Sequence, residues 1–297
     1  MVRGRIGVAL GSGGARGWCH IGVLWGLDAL GLSPDVVAGC SMGALVGAAY
    51  AAGRLDALED WTRSMTRARV VGLLDVSLVS GGLVEGRQIA RVLKDLGLPE
   101  RIEDLDRPFA AIATDMETGR EIWLTKGDLG AAVRASAALP GVISPYHHEG
   151  RWLLDGGLTN PVPVSAARAL GADIIIAVNP NGKRFGQLWQ AAPPEDGPLS
   201  AIVEALPEGM RKQLSWLMPD EPGPRPPSYL DVVSTAIDVM TGQIRRSRLA
   251  GEPPHVLLSA HLAHVSVLDL HRAAEAIEEG RCLVERHAEQ LEDVRGP

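Results

Sequence analysis

The first 180 residues alternate short, almost wholly apolar runs with longer stretches whose apolar positions recur every three or four residues. Gly4–Leu10, rich in Ile, Val and Leu, predicts a strand buried on both faces. Ala15–Leu30 predicts a helix, with Ile21, Leu24, Trp25 and Leu27 or Asp28 marking its two faces. Asp35–Gly39 is a second strand and Met42–Ala52 a second helix. Leu55–Thr66 and Glu85–Leu96 carry amphipathic helical patterns. Phe109–Thr114 and Glu121–Leu124 have β-type content, and Asp128–Ala138 is helical up to the break at Pro140-Gly141. Arg151–Leu154 predicts a strand running into a glycine turn. Pro163–Leu170 predicts a helix with Pro near its first turn, and Asp173–Asn179 a fully buried strand. Strands alternating with helices imply an α/β fold: three α/β/α layers around a mainly parallel central sheet.

The pattern breaks after residue 180. Residues 181–227 hold nine prolines in 47 positions, with Trp189 and Trp216 among them. Within this stretch Leu199–Leu206 and Glu208–Met218 read as two short helices separated by Pro207. Such a segment suits a lid over a site, transient contact with a membrane surface, or a plain surface excursion packed on the core. Helical periodicity returns over Tyr229–Leu249, Val256–Leu258 reads as a last strand, and Leu270–Gln290 as a terminal helix. The expected organisation is therefore a principal domain over 1–180, a proline-rich excursion over 181–227, and a helical extension over 228–297 that completes the domain.

Composition narrows the function classes. Of 297 residues, 46% are hydrophobic and 22% charged, which supplies a core without help from disulfides or metals. Lys and Arg number 29 against 36 Asp and Glu, a net charge of −7, so the chain lacks the basic footprint of a nucleic-acid binder. Three cysteines, Cys19, Cys40 and Cys282, are an odd number without zinc spacing, which favours a reducing compartment and a cytoplasmic location, peripheral to membrane at most.

Three segments carry candidate chemistry. Gly11-Ser12-Gly13-Gly14-Ala15-Arg16-Gly17 follows the first strand and opens the first helix, where glycine amides and a helix N-terminus approach an anion closely. Its spacing is not that of a dinucleotide fingerprint. Gly39-Cys40-Ser41-Met42-Gly43 is a G-x-S-x-G at a strand–turn–helix corner, the context in which a serine hydroxyl becomes an exposed nucleophile. Asp155-Gly156-Gly157 puts a carboxylate at a strand end. Each alone has an ordinary reading as a turn. All three lie at carboxyl ends of strands, where ligands bind in open α/β sheets, and together they supply a nucleophile, a base and an oxyanion site.

In these residues the chain resembles the bacterial patatin-like phospholipases. The family's Asp-Gly-Gly-Gly-x-Arg-Gly loop falls on Gly11 to Gly17, with Gly11 replacing the Asp and Ser12 the first Gly. Its Gly-x-Ser-x-Gly falls on Gly39 to Gly43 and its Asp-Gly-Gly/Ala on Asp155 to Gly157. The resemblance continues in Ala135 to Gly141 and Asn160 to Val164, and covers about residues 5–180. It implies a Ser41–Asp155 dyad acting on acyl esters of phospholipids or lysophospholipids, with Gly13 and Gly14, joined by Met42, holding the oxyanion. Arg16 would order the glycine loop, and no metal or organic cofactor would be required. Gly39, Gly43, Gly156 and Gly157 are motif support.

Two other readings stay open at this point. A lipid-binding module could keep the fold without turnover, which the presence of both Ser41 and Asp155 opposes. A His-assisted α/β-hydrolase esterase would need His147, His148 or one of the later His255, His261, His264, His271 and His287. His261-x-x-His264 lacks a neighbouring carboxylate or thiol at ligand spacing and suits a surface role, and Cys40 suits inward packing.

Overall fold

In the computed structural model, residues 4–72, 84–182 and 229–294 are described. The apolar runs become strands: β1 (Ile6–Leu10), β2 (Val36–Cys40), β3 (Phe109–Asp115), β4 (Glu121–Leu124), β5 (Tyr146–His148), β6 (Arg151–Asp155), β7 (Ile174–Asn179) and β8 (Val256–Ser259). They form one sheet in the order β5-β6-β3-β2-β1-β7-β8, with β4 also paired to β3. The five-strand block β3-β2-β1-β7-β8 is parallel throughout. Its central strands are buried at every position, as a sheet covered on both faces requires.

Alternate residues feed two cores. Val8, Leu10, Val37, Ala111, Ile176 and Val178 point into the larger one, which α1 (Cys19–Ala29), α2 (Met42–Ala51), α3 (Leu55–Arg63), α5 (Arg87–Asp95), α6 (Leu129–Ser136) and α9 (Ala273–Arg286) help to build. Ala9, Ala38, Cys40, Ile112 and Ala177 point the other way, under α7 (Val164–Ala169) and Leu249 of α8 (Tyr229–Gly251). Two short helices, α4 (Arg67–Gly72) and α10 (Ala288–Asp293), complete the set. The C-terminal chain is part of the same body: β8 extends the sheet beside β7, and α9 packs along α1.

Five features differ from the pattern-based expectation. The first helix opens with a 3-10 turn over Gly14–Trp18 before the α-helix begins, because the glycine loop still bends there, with Gly14 at φ +54. The terminal helix is divided in the same way, into a 3-10 turn, α9 and α10. Neither α4 nor β5 was expected. Tyr146–His148 has no buried position, so its strand conformation comes from pairing with β6 and not from any apolar pattern of its own. β6 itself runs antiparallel to β3. The proposed lid and its two short helices fall within residues 183–228, outside the described residues.

Candidate active site

The corner after β2 is sharp. Ser41 takes φ 56 and ψ −120, a backbone region that L-residues with a side chain avoid, at a cost on the order of 1–3 kcal/mol. Close packing around it enforces the bend. A Cβ on Gly43 would lie 2.2 Å from the Leu10 carbonyl oxygen, and one on Gly39 would lie 2.3 Å from the Gly43 carbonyl oxygen. The serine therefore projects where the end of β1 and the start of α2 nearly touch. Its own N–H donates to Ser136 Oγ at 2.8 Å, tying the corner to the end of α6.

Asp155 reaches Ser41 through strand pairing. β2 pairs with β3 as far as Cys40 opposite Ile112, and β6 pairs with β3 from the other direction as far as Asp155 opposite Ala113. Since β4 occupies the opposite edge of β3 over Ala111–Thr114, β2 and β6 share one edge and meet end to end. Their last residues face consecutive positions of the same strand. Gly156 keeps the turn close: a Cβ there would lie 2.2 Å from the Ile112 carbonyl oxygen. The result is a hydrogen bond of 2.6 Å from Ser41 Oγ to Asp155 Oδ2 across 114 residues.

The other carboxylate oxygen, Oδ1, accepts the Gly157 N–H at 2.7 Å and has the Cys40 thiol 3.9 Å away. Asp155 is only 3% exposed, and burial pushes its carboxyl up to about 6; the Ser41 and Gly157 hydrogen bonds oppose that rise. The same burial, with the carboxylate next to it, drives the Cys40 thiol well above its ordinary range, so Cys40 packs as an inert apolar group. Among the described residues no histidine bonds to Ser41 or Asp155. His147 packs edge-on against Trp152, His148 stacks on Tyr146, and His255 Nδ1 accepts the Ile175 N–H. His264 pairs with Glu275 on the surface, and the backbone N–H of His261 donates to Glu279.

The glycine loop abuts this pair. A Cβ on Gly157 would fall 2.9 Å from Ser12 Oγ, so the turn after β6 and the loop after β1 are in contact. Gly11 and Ser12 spend their N–H groups on Val178 and Pro161. The N–H groups of Gly13, Gly14 and Met42 have no acceptor among the described residues. Arg16 is the strut of the loop: Nε donates to the Val265 carbonyl at 2.7 Å, a terminal nitrogen to Asn181 Oδ1 at 2.9 Å, and Asp238 lies 3.6 Å away. Asn181 in turn donates to the Ser12 carbonyl at 2.8 Å. Its side chain is 14% exposed.

One residue escaped the sequence reading. His20 in α1 is fully buried, and its Nε2 lies 2.8 Å from the Gly11 carbonyl oxygen. A carbonyl only accepts, so Nε2 carries the proton. Nδ1 is buried without a partner. Burial pulls the imidazole down to about 4, leaving it neutral. The same Gly11 carbonyl would stand 2.8 Å from a Cβ on Gly43, so His20 holds the loop where it meets the α2 corner. A single buried His on a helical apolar face gives no signal in sequence that separates it from ordinary core.

With this geometry in view, the patatin-like phospholipase profile matches residues 8–168, from β1 to α7. The chain belongs to the patatin-like phospholipase family, a family of lipid acyl hydrolases. An uncharacterized NTE family protein of Mycobacterium tuberculosis is 33% identical over 97% of this chain and 92% of its own length. Patatin-like phospholipase domain-containing protein 6 of Homo sapiens is 36% identical over 59% of this chain and 13% of its own. Among solved structures, VipD from Legionella pneumophila aligns with 98% of this chain and 67% of its own at a TM-score of 0.48 and 13% identity. Among the described residues of this patatin-like chain, no helix is long and apolar enough to cross a membrane.

Proposed function

We propose that the chain hydrolyses acyl esters of phospholipids or lysophospholipids through a Ser41–Asp155 dyad. The observation that carries this reading is the 2.6 Å contact between Ser41 Oγ and a buried carboxylate whose burial raises its proton affinity. An ordinary aspartate is too weak a base to draw a proton from a hydroxyl. One held near 6 is stronger and still ionised at neutral pH, the compromise general-base catalysis favours.

In this scheme Ser41 Oγ attacks the ester carbonyl carbon as its proton passes to Asp155 Oδ2. The carbonyl π-bond becomes an oxyanion, received by the unengaged N–H groups of Gly13 and Gly14, with Met42 at the α2 N-terminus. Collapse breaks the bond to the alcohol, which leaves with the proton returned from Asp155. Water then attacks the acyl-serine with the same carboxylate as base, releasing the fatty acid and restoring Ser41. The Arg16 and His20 contacts hold the glycine loop in register with the corner.

The test is brief exposure to a fluorophosphonate probe, intact-protein mass, and mapping of the modified peptide. A single adduct on Ser41 is expected. Absence of that adduct, or ester hydrolysis persisting in Ser41→Ala, removes the dyad and leaves a binding role on the same fold.

A further inference from the structure

We propose that Arg245 forms a phosphate-binding subsite beside the candidate active site, selecting ester substrates that carry a phosphate over neutral glycerides. This rests on the acyl-ester reading above and adds to it a specificity-determining residue.

Helix α8 lies across the carboxyl edge of the sheet. Near the middle of the helix Asp238 approaches Arg16 of the glycine loop at 3.6 Å. Ten residues on, about 15 Å along the axis, Arg248 donates to the Thr159 carbonyl at 3.2 Å and to Glu121 at 2.6 Å. Thr159 directly follows the turn that begins with Asp155, and α8 packs on that turn. The helix thus bridges the two loops that abut at Ser12 and Gly157.

Arg245 sits on the same face, two turns after Asp238 and one before Arg248. It is 8% exposed. Its neighbours on that face are satisfied: Asp238 by Arg16, Thr241 by the Ile237 carbonyl, Arg248 by Glu121. Arg245 has neither a hydrogen bond nor an ion pair among the described residues. Burial and the nearby Arg246 hold its guanidinium below its ordinary range, against the pull of Asp238.

A guanidinium that is 8% exposed and has no hydrogen-bond or ion-pair partner among the described residues is a penalty for a fold to carry. The penalty is offset when a ligand brings the anion. Five N–H donors in a planar fork match two oxygens of a phosphate. A lysophospholipid headgroup phosphate lies a few bonds from its ester carbonyl, which fits a cation flanking the loops around Ser41. Inorganic phosphate shares this chemistry, and the experiment separates the two sources.

Wild type, Arg245→Gln and Arg245→Lys are compared on 1-palmitoyl lysophosphatidylcholine and on 1-palmitoylglycerol, substrates with one acyl chain and different headgroups. The expected result is a fall of about tenfold or more in the ratio of the two kcat/KM values for Arg245→Gln, carried by KM, with partial recovery in Arg245→Lys. An unchanged ratio overturns the proposal, as does an equal loss on both substrates, which makes Arg245 structural. In parallel, inorganic phosphate is titrated into Ser41→Ala and into the double variant with Arg245→Gln by calorimetry. Binding that the second substitution weakens is expected. If that weakening accompanies an unchanged substrate ratio, the site takes free phosphate and the headgroup assignment fails. If wild type cleaves neither substrate, the acyl-ester reading fails, while the titration still decides the subsite. If Arg245→Gln does not fold, Arg245→Lys carries both comparisons, and no change in either refutes the subsite.

Discussion

Replacing Asp155 by Asn should raise stability while removing activity, and the gain should depend on pH. The carboxyl titrates near 6 in the folded protein, against 3.8 as its unperturbed value. That difference of about 2 units corresponds to about 3 kcal/mol, the cost of keeping a buried, incompletely compensated carboxylate ionised at neutral pH. Because the folded-state value is the higher one, the native protein holds its proton more tightly than the unfolded chain. Stability from this group is fully present below about 3.8 and is lost as pH rises through about 6. Asparagine removes the charge and can keep the main contacts: its carbonyl accepts the Gly157 N–H, and its amide donates to Ser41 Oγ. The expected gain at pH 8 is about 1–3 kcal/mol, some of the full value being lost with weaker hydrogen bonds. Between pH 8 and pH 4.5 the advantage over wild type should shrink by about 2 kcal/mol. Urea denaturation of both proteins at the two pH values measures this directly, with ester hydrolysis followed on the same preparations. A variant less stable than wild type at pH 8, or a difference that does not change with pH, would refute the claim that burial sets the state of this carboxylate.

The same value predicts the acid limb of the rate profile. The kcat/KM of wild type should fall with unit slope below about pH 6, since protonated Asp155 takes no proton from Ser41; a flat profile down to pH 5 removes it as base. Ser41→Ala should lower hydrolysis by roughly three orders of magnitude or more at unchanged Tm. For His20→Leu, loss of the donor to Gly11 should reduce kcat about tenfold while KM holds, and His20→Gln should recover part of it. Equal kcat in wild type and His20→Leu would make His20 plain core. Gly43→Ala drives a methyl into the Leu10 carbonyl, so soluble protein with full activity would contradict the close approach at the corner. In Arg16→Ala, three contacts to the glycine loop go, and turnover should fall by more than the change in Tm would suggest.

The local pieces were legible in the residues. Apolar runs of five residues marked the central strands, because a strand covered on both faces has few polar positions to spare. Ser41 between Gly39 and Gly43 marked the corner, and Gly13 and Gly14 the loop, because only residues without a side chain allow such approaches. Asp155 was legible as a carboxylate at a strand end. Its direction of approach was not. The sequence reading brought the three segments together at the carboxyl edge of a parallel sheet, whereas β6 runs antiparallel and meets β2 head to head along β3.

What the chain determined by itself was thus a set of short-range facts: period, turn chemistry, and which residue types stand beside which. The tertiary structure decided the long-range ones. The pairing of Ser41 with Asp155 depends on two strands sharing one edge of a third, and no periodicity within either strand encodes its neighbour. The raised proton affinity of Asp155, the inertness of Cys40, the neutrality of His20 and the lowered proton affinity of Arg245 all follow from burial. Burial is set by what the rest of the fold stacks over a residue, so the same side chain read in sequence carries its unperturbed chemistry until the layers close around it.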